Sequence, residues 1–172
     1  ALIKRDRNRP SVFFWSLGNE EFYHKYEPGR RICKSMMAWA RRMDDSRLIS
    51  NNDGWEQVSQ TDLYGIHDYR PFGQNFAEDY SDIAKIFETT PASRLLLADH
   101  QSLENKPIMV TEFGGIALVT GKGEFWGYNG LEKDEESFLA RFASLIEGLE
   151  SIPYLQGYCY TQLTDVYQEQ NG

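Results

Sequence analysis

Two glutamates occupy positions that suit catalysis. Glu20 follows the run Ser11-Val12-Phe13-Phe14-Trp15-Ser16-Leu17-Gly18-Asn19, and Glu112 closes Pro107-Ile108-Met109-Val110-Thr111. Each run is apolar or aromatic and bounded by turn residues, the pattern of a strand buried on both faces in a parallel sheet. A carboxylate is thus delivered at the carboxyl end of each strand, where barrel and open-sheet enzymes place their chemistry. Cleaving a glycosidic bond needs such a pair. One carboxyl stays neutral to protonate the leaving oxygen; the other is ionised and attacks the sugar or activates water. A lone glutamate is more often solvated or salt-bridged, and it is the matched settings of these two that favour chemistry.

The intervening elements must bring the two ends together. Residues 1–9 are rich in basic side chains and suit the tail of a helix, closed by Asn8 and Pro10. Over residues 29–43, Ile32, Met36, Trp39, Ala40 and Met43 recur at helical spacing, which predicts an amphipathic helix buried on that face. Residues 48–51 predict a short strand, followed by the turn Asn52-Asp53-Gly54 and an exposed aromatic at Trp55. Residues 63–69 predict another strand, again ending in polar groups, His67, Asp68 and Tyr69. A helix is expected over 80–87 through Ile83, Ala84 and Phe87. Residues 116–130, rich in glycine and carrying Phe125, Trp126 and Tyr128, suit an irregular loop over a site. A strong helix follows over 133–149, with Asp134, Glu135 and Glu136 in its first turn and Phe138, Phe142, Leu145 and Leu149 on one face, and then a strand over 155–161. Strands alternating with helices in this way argue for a parallel sheet with helices outside.

At 172 residues the chain is long enough for one domain with a real core. A net charge of -8 argues against a nucleic-acid partner, which would want a basic surface. No apolar run is long enough for a membrane span, and the first ten residues lack the apolar core of a leader, so they read as internal to a longer chain. Cys33 and Cys159 are expected as buried thiols, although a disulfide between them stays open. His24, His67 and His100 are scattered without ligand spacing, so no metal site or cofactor is expected.

Arg5-Asp6-Arg7-Asn8-Arg9-Pro10-Ser11 leading into Trp15-Ser16-Leu17-Gly18-Asn19-Glu20 closely resembles the acid/base signature of the family 2 glycoside hydrolases, the β-galactosidases, β-glucuronidases and β-mannosidases. Thr111-Glu112-Phe113-Gly114-Gly115 resembles the nucleophile signature of the same family. Asn51-Asn52-Asp53-Gly54-Trp55-Glu56, Ile66-His67-Asp68-Tyr69 and Tyr158-Cys159-Tyr160-Thr161-Gln162-Leu163-Thr164-Asp165 are similar to other strand ends of β-galactosidase-like members. The matches run in order over nearly the whole chain.

The resemblance implies an α/β fold, a partial (β/α)8 TIM barrel holding strands four to eight with their outer helices. Residues 1–172 would be the C-terminal portion of the catalytic barrel, with the upstream strands and β-sandwich domains absent. An incomplete barrel exposes sheet edges, so self-association through them, or pairing with the missing part, is expected. By motif position, Glu20 would be the acid/base and Glu112 the nucleophile of a retaining hydrolase acting on a carbohydrate substrate. Asn19 would hold the sugar 2-hydroxyl and Tyr69 would bond the nucleophile. His67, on the same face as Tyr69, either contacts sugar hydroxyls or is a satisfied buried imidazole. Trp55, Trp126 and Tyr160 are candidate sugar-stacking rings, Tyr160 standing where the family often has a tryptophan, whereas Trp15 reads as core. The resemblance suggests a bacterial cytoplasmic or periplasmic enzyme. A catalytically silent sugar-binding or assembly fragment is the alternative, and an inverting hydrolase with more widely spaced carboxylates a third reading.

Overall fold

In a computed structural model, the structure describes residues 2–22, 26–98, 105–119 and 126–172. His24, His100 and Phe125 lie outside the described residues. The elements in chain order are α1 (Leu2–Asp6), β1 (Phe14–Ser16), α2 (Glu27–Met43), β2 (Leu48–Ser50), β3 (Tyr64–His67), α3 (Gly73–Asp79), α4 (Ile83–Ile86), β4 (Ile108–Gly114), β5 (Ala117–Leu118), β6 (Leu131–Glu132), α5 (Glu135–Glu150) and β7 (Leu155–Thr161). A single 3-10 turn occupies Pro91–Ser93.

Every strand ladder is parallel: β1 with β2, β3 with β4, β4 with β7, and the short β5 with β6. Two cores lie beneath them. One joins β3, β4 and the helices α3 and α5 through Tyr64, Ile66, Phe76, Val110, Phe113 and Leu145; the other joins α1 and α2 to β2 through Ile3, Cys33, Met37, Ala40 and Ile49. β2 and β3 share no ladder, and the Gln57 side chain fills the interval. Its amide donates to the Gly65 carbonyl at 2.6 Å and accepts from the Gly65 N–H at 3.2 Å, so the backbone of β3 stays satisfied on that side.

Several expectations need correction. β1 is not buried on both faces: it spans three residues, pairs among the described residues with β2 alone, and leaves Phe13 exposed beside it. In α2 the buried positions are Gly29, Cys33, Met37 and Ala40, one step around the helix from the predicted Ile32, Met36 and Trp39, which are exposed. The small side chains at Gly29, Cys33 and Ala40 let that face approach the sheet closely. The helix expected over 80–87 forms only as the one-turn α4, and α3, which ends before Tyr80, precedes it. Asp82 caps α4 by accepting from the Ala84 N–H at 2.9 Å. Asp134 is the N-cap of α5 rather than part of its first turn, and accepts from the Ser137 N–H at 2.8 Å. Cys159 is exposed on β7, while Cys33 is buried as expected; both are free thiols. Within the 116–130 region Ala117 and Leu118 form β5, which pairs with β6 just beyond it. Trp15 is half-buried against the second core, its indole donating to Asp44 at 2.9 Å.

Candidate active site

Glu20 reaches the site because the chain after β1 runs beside the chain after β2. The Leu17 N–H donates to the Ser50 carbonyl at 3.0 Å, the Asp53 N–H to the Gly18 carbonyl at 2.9 Å, and the Glu20 N–H to the Asp53 carbonyl at 3.0 Å. These bonds hold Glu20 at a φ of 54°, a left-handed backbone that costs a residue with a Cβ about 1–2 kcal/mol. Glu112 is turned to the same place by irregularities in β4. The register shifts at His67, which pairs with Glu112, and again between Val110 and Phe113 on the β7 side. Such shifts re-aim a side chain at a strand end.

The two glutamates and His67 each bring one atom to within 4.8 Å of the other two. His67 Nδ1 lies 2.7 Å from Glu20 Oε1 and 3.3 Å from Glu112 Oε2, while Nε2 lies 3.6 Å from Asp53 Oδ2. The imidazole is 0% exposed. Two glycines give it room: a Cβ at Gly54 (φ +99°) would sit 2.8 Å from the His67 ring, and one at Gly65 would sit 2.0 Å from Asp53 Oδ1. Asp53 is itself held by the Thr111 hydroxyl, which donates to Oδ1 at 2.5 Å. On the far side of Glu112 the Tyr69 hydroxyl donates to Oε2 at 2.5 Å. The Tyr69 ring stacks on Tyr128 at 4.1 Å, and Trp126 meets Tyr128 edge-on at 5.1 Å. Asn129 pins this loop by donating to the Gly114 carbonyl at 2.7 Å.

Charge follows from this packing. Burial alone would lower the His67 pKa, but the Asp53 carboxylate facing Nε2, the bond to Glu20 and the charge of Glu112 outweigh it, so the imidazolium persists to about 9. Burial raises the Glu112 carboxyl above its ordinary value. The His67 charge and the Tyr69 hydroxyl oppose that rise, and Glu20 and Asp53 add to it. Burial also raises the Tyr69 phenol, with Glu112 adding to the effect, so Tyr69 remains a hydrogen-bond donor. The spacing of Glu20, His67 and Glu112 alone would suit a cation. Nδ1 at 2.7 Å from Glu20 Oε1 is equally at the distance of a shared proton.

The structure therefore brings together Glu20, Glu112, His67 and Tyr69. Exposed Asn19 stands beside them in a bridge to Asp53, and Trp126 lies at the rim. His67 is a buried imidazole between carboxylates, with no open edge for a sugar hydroxyl. Trp55 is not an open platform either. It is buried, edge-on to His67 at 6.0 Å, under the Arg94 guanidinium, which pairs with Glu56. Tyr160 is directed away, packing on Phe113 and Phe142 at 5.5 and 5.1 Å. A Cβ at Gly114 would meet its ring at 2.2 Å. Asp68, at the same strand end as His67, is spent on structure, accepting from Arg70 and Tyr80. Sequence reasoning took Asp53 for turn chemistry and Tyr128 for a loop aromatic; only their positions in space reveal their roles.

Parallel strands that bring paired carboxylates together beyond their carboxyl ends match the place where barrel enzymes carry their chemistry. The family described as "Glycosyl hydrolases family 2, TIM barrel domain" matches residues 1–147. The chain belongs to this family. It is 35% identical over 113 residues to a β-galactosidase of Leuconostoc mesenteroides, covering 65% of this chain and 9% of that protein. It is 32% identical over 62 residues to a β-galactosidase of Photobacterium profundum, covering 36% of this chain and 5% of that one. The chain thus spans less than a tenth of the length of these relatives. Among solved structures it resembles a β-D-glucuronidase of Dictyoglomus thermophilum, with a TM-score of 0.64 and 19% identity over 99% of this chain and 30% of that one. It also resembles a family 2 β-galacturonidase of Eisenbergiella tayi, with a TM-score of 0.63 and 17% identity over 91% of this chain and 26% of that one. These two likenesses concern the fold.

Proposed function

We propose that this chain carries both catalytic carboxylates of a retaining β-glycosidase most like a β-galactosidase, with β1, β2, β3, β4 and β7 as strands four to eight of its barrel. The observation that carries the proposal is the approach of Glu20 and Glu112 to within 4.8 Å. Carboxyl groups about 5–5.5 Å apart serve direct displacement, whereas inverting pairs stand about 6.5–9.5 Å apart to admit a water. Glu112, ionised with the help of the Tyr69 hydroxyl, attacks the anomeric carbon. Glu20 protonates the leaving oxygen, then takes a proton from the water that releases the sugar. Asn19 faces the 2-hydroxyl, and the exposed ring of Trp126 offers a sugar an apolar face.

The test is trapping. A 2-deoxy-2-fluoro-β-galactoside with a dinitrophenyl leaving group should label the full-length protein at Glu112, read by peptide mass. Labelling of any other residue would overturn the assignment. Glu20→Ala should slow substrates with poor leaving groups by about 100-fold or more, the scale of general acid catalysis, and activated aryl glycosides far less. Equal losses on both would remove Glu20 from the acid role.

A further inference from the structure

We infer that His67 is the proton store for Glu20, so that the general acid of this site is an Asp53–His67–Glu20 relay rather than a glutamate acting alone. The inference rests on the glycosidase reading above and goes beyond it. Its ground is geometric. An imidazole with no exposed surface lies 2.7 Å from the carboxylate assigned as acid, 3.3 Å from the one assigned as nucleophile, and 3.6 Å from a third that has no place in the displacement. Nε2 has no hydrogen-bond partner among the described residues, and the Asp53 carboxylate 3.6 Å away is the charge that faces it. The charged and titratable groups facing the ring are Glu20 after β1, Asp53 after β2 and Glu112 on β4, and Tyr69 on its own segment bonds Glu112.

In the resting site the proton sits on His67 Nδ1, bonded to Glu20 Oε1. The side chain of Glu20 is 35% exposed, so a bound sugar strips water from it. Removing water penalises an ion pair relative to a neutral imidazole and a carboxylic acid, which drives the proton from Nδ1 to Oε1. The N–H bond breaks, the carboxyl O–H forms, and Glu20 becomes an acid only once substrate is in place. The same transfer removes positive charge from beside Glu112, which leaves that carboxylate a stronger nucleophile. Glu112 then bonds the anomeric carbon, the glycosidic C–O bond breaks, and the leaving oxygen takes the proton from Glu20. In the second step water bonds the anomeric carbon, the ester to Glu112 breaks, and the water's proton passes through Glu20 back to Nδ1. No proton is gained or lost over the cycle.

The experiment compares wild type, His67→Gln and Asp53→Asn in the full-length protein. It uses pH profiles of kcat/KM on an alkyl and a dinitrophenyl β-galactoside, together with fluorosugar labelling. Wild type should keep its alkaline limb on the alkyl substrate up to about pH 9, where His67 gives up its proton. Gln keeps the volume and a hydrogen-bond donor but cannot store a proton. His67→Gln should therefore lose about 100-fold on the alkyl substrate at neutral pH, less than about tenfold on the dinitrophenyl one, and shift its alkaline limb downward. Asp53→Asn should shift the limb the same way by a smaller step, which keeps the test sound if the histidine variant folds poorly. Equal losses on both substrates, or an unmoved limb in both variants, would overturn the relay. Labelling separates the two readings. If wild type is not labelled at Glu112 the glycosidase assignment falls and the relay with it; if it is labelled and the limb stays put, the relay alone falls.

Discussion

A single side chain, His67, ties the charge of this site to the stability of the fold. Its pKa rises from the ordinary 6.5 to about 9 in the folded chain. A group whose folded pKa is raised binds its proton more tightly when folded. Its contribution is therefore complete below 6.5 and is lost as pH climbs through 9. At about 1.4 kcal/mol per pH unit that is about 3 kcal/mol, a large share of the stability of an ordinary domain. Glu112, raised by burial, loses its contribution in the same direction lower on the scale, as pH rises past the ordinary carboxylate value. Denaturant unfolding between pH 6 and 9.5 should show wild type weakening by about 3 kcal/mol. His67→Gln should be nearly flat over that window. A parallel decline in the variant would assign the loss to other groups, and because slopes are compared, an overall loss of stability in the variant does not blur the result.

Among the elements, α3 and α5 meet at two glycines. A Cβ on Gly148 would sit 2.2 Å from the Gly73 carbonyl oxygen, and one on Gly73 would sit 1.7 Å from the Ser144 carbonyl oxygen. Helix propensity alone would make Gly148→Ala stabilising by about 1 kcal/mol. The backbone contact reverses the sign, because neither helix can yield without moving Phe76 or Leu145 in the core. Gly148→Ala should cost about 1–3 kcal/mol by thermal or denaturant unfolding; a neutral or stabilised variant would mean that the two helices can separate freely. This contact also explains why α3 was illegible in the sequence. Gly73, Gln74 and Asn75 carry no helical signal, and packing on α5 makes the helix. The face of α2 was misjudged for a related reason: spacing of three and four fits both Ile32-Met36-Trp39 and Cys33-Met37-Ala40, and close approach selected the smaller set. The strand ends were legible because an apolar run followed by a turn and a carboxylate is a local signal. The His67–Glu20 contact spans 47 residues, and no local pattern announces it.

At the scale of the molecule, the parallel ladders stop short of closure. Among the described residues β1 has only β2 beside it and β7 has only β4, so each presents a row of backbone groups on one side. Apolar surface accompanies both edges: Phe13 is exposed just before β1, and Tyr158 is exposed on β7. Closing a barrel abolishes edges; an open arc of parallel strands with apolar flanks satisfies them instead by pairing with another chain. Residues 1–172 taken alone should therefore sediment, in reductant that keeps exposed Cys159 from cross-linking, at a weight-average mass of two or more 19.9 kDa chains. Phe13→Lys sets a charge beside the β1 edge without touching either core, and should move the mass toward the single chain. A monomer at every concentration would mean that the edges are covered by some other part of this chain. An unchanged mass in the lysine variant would place the association on β7.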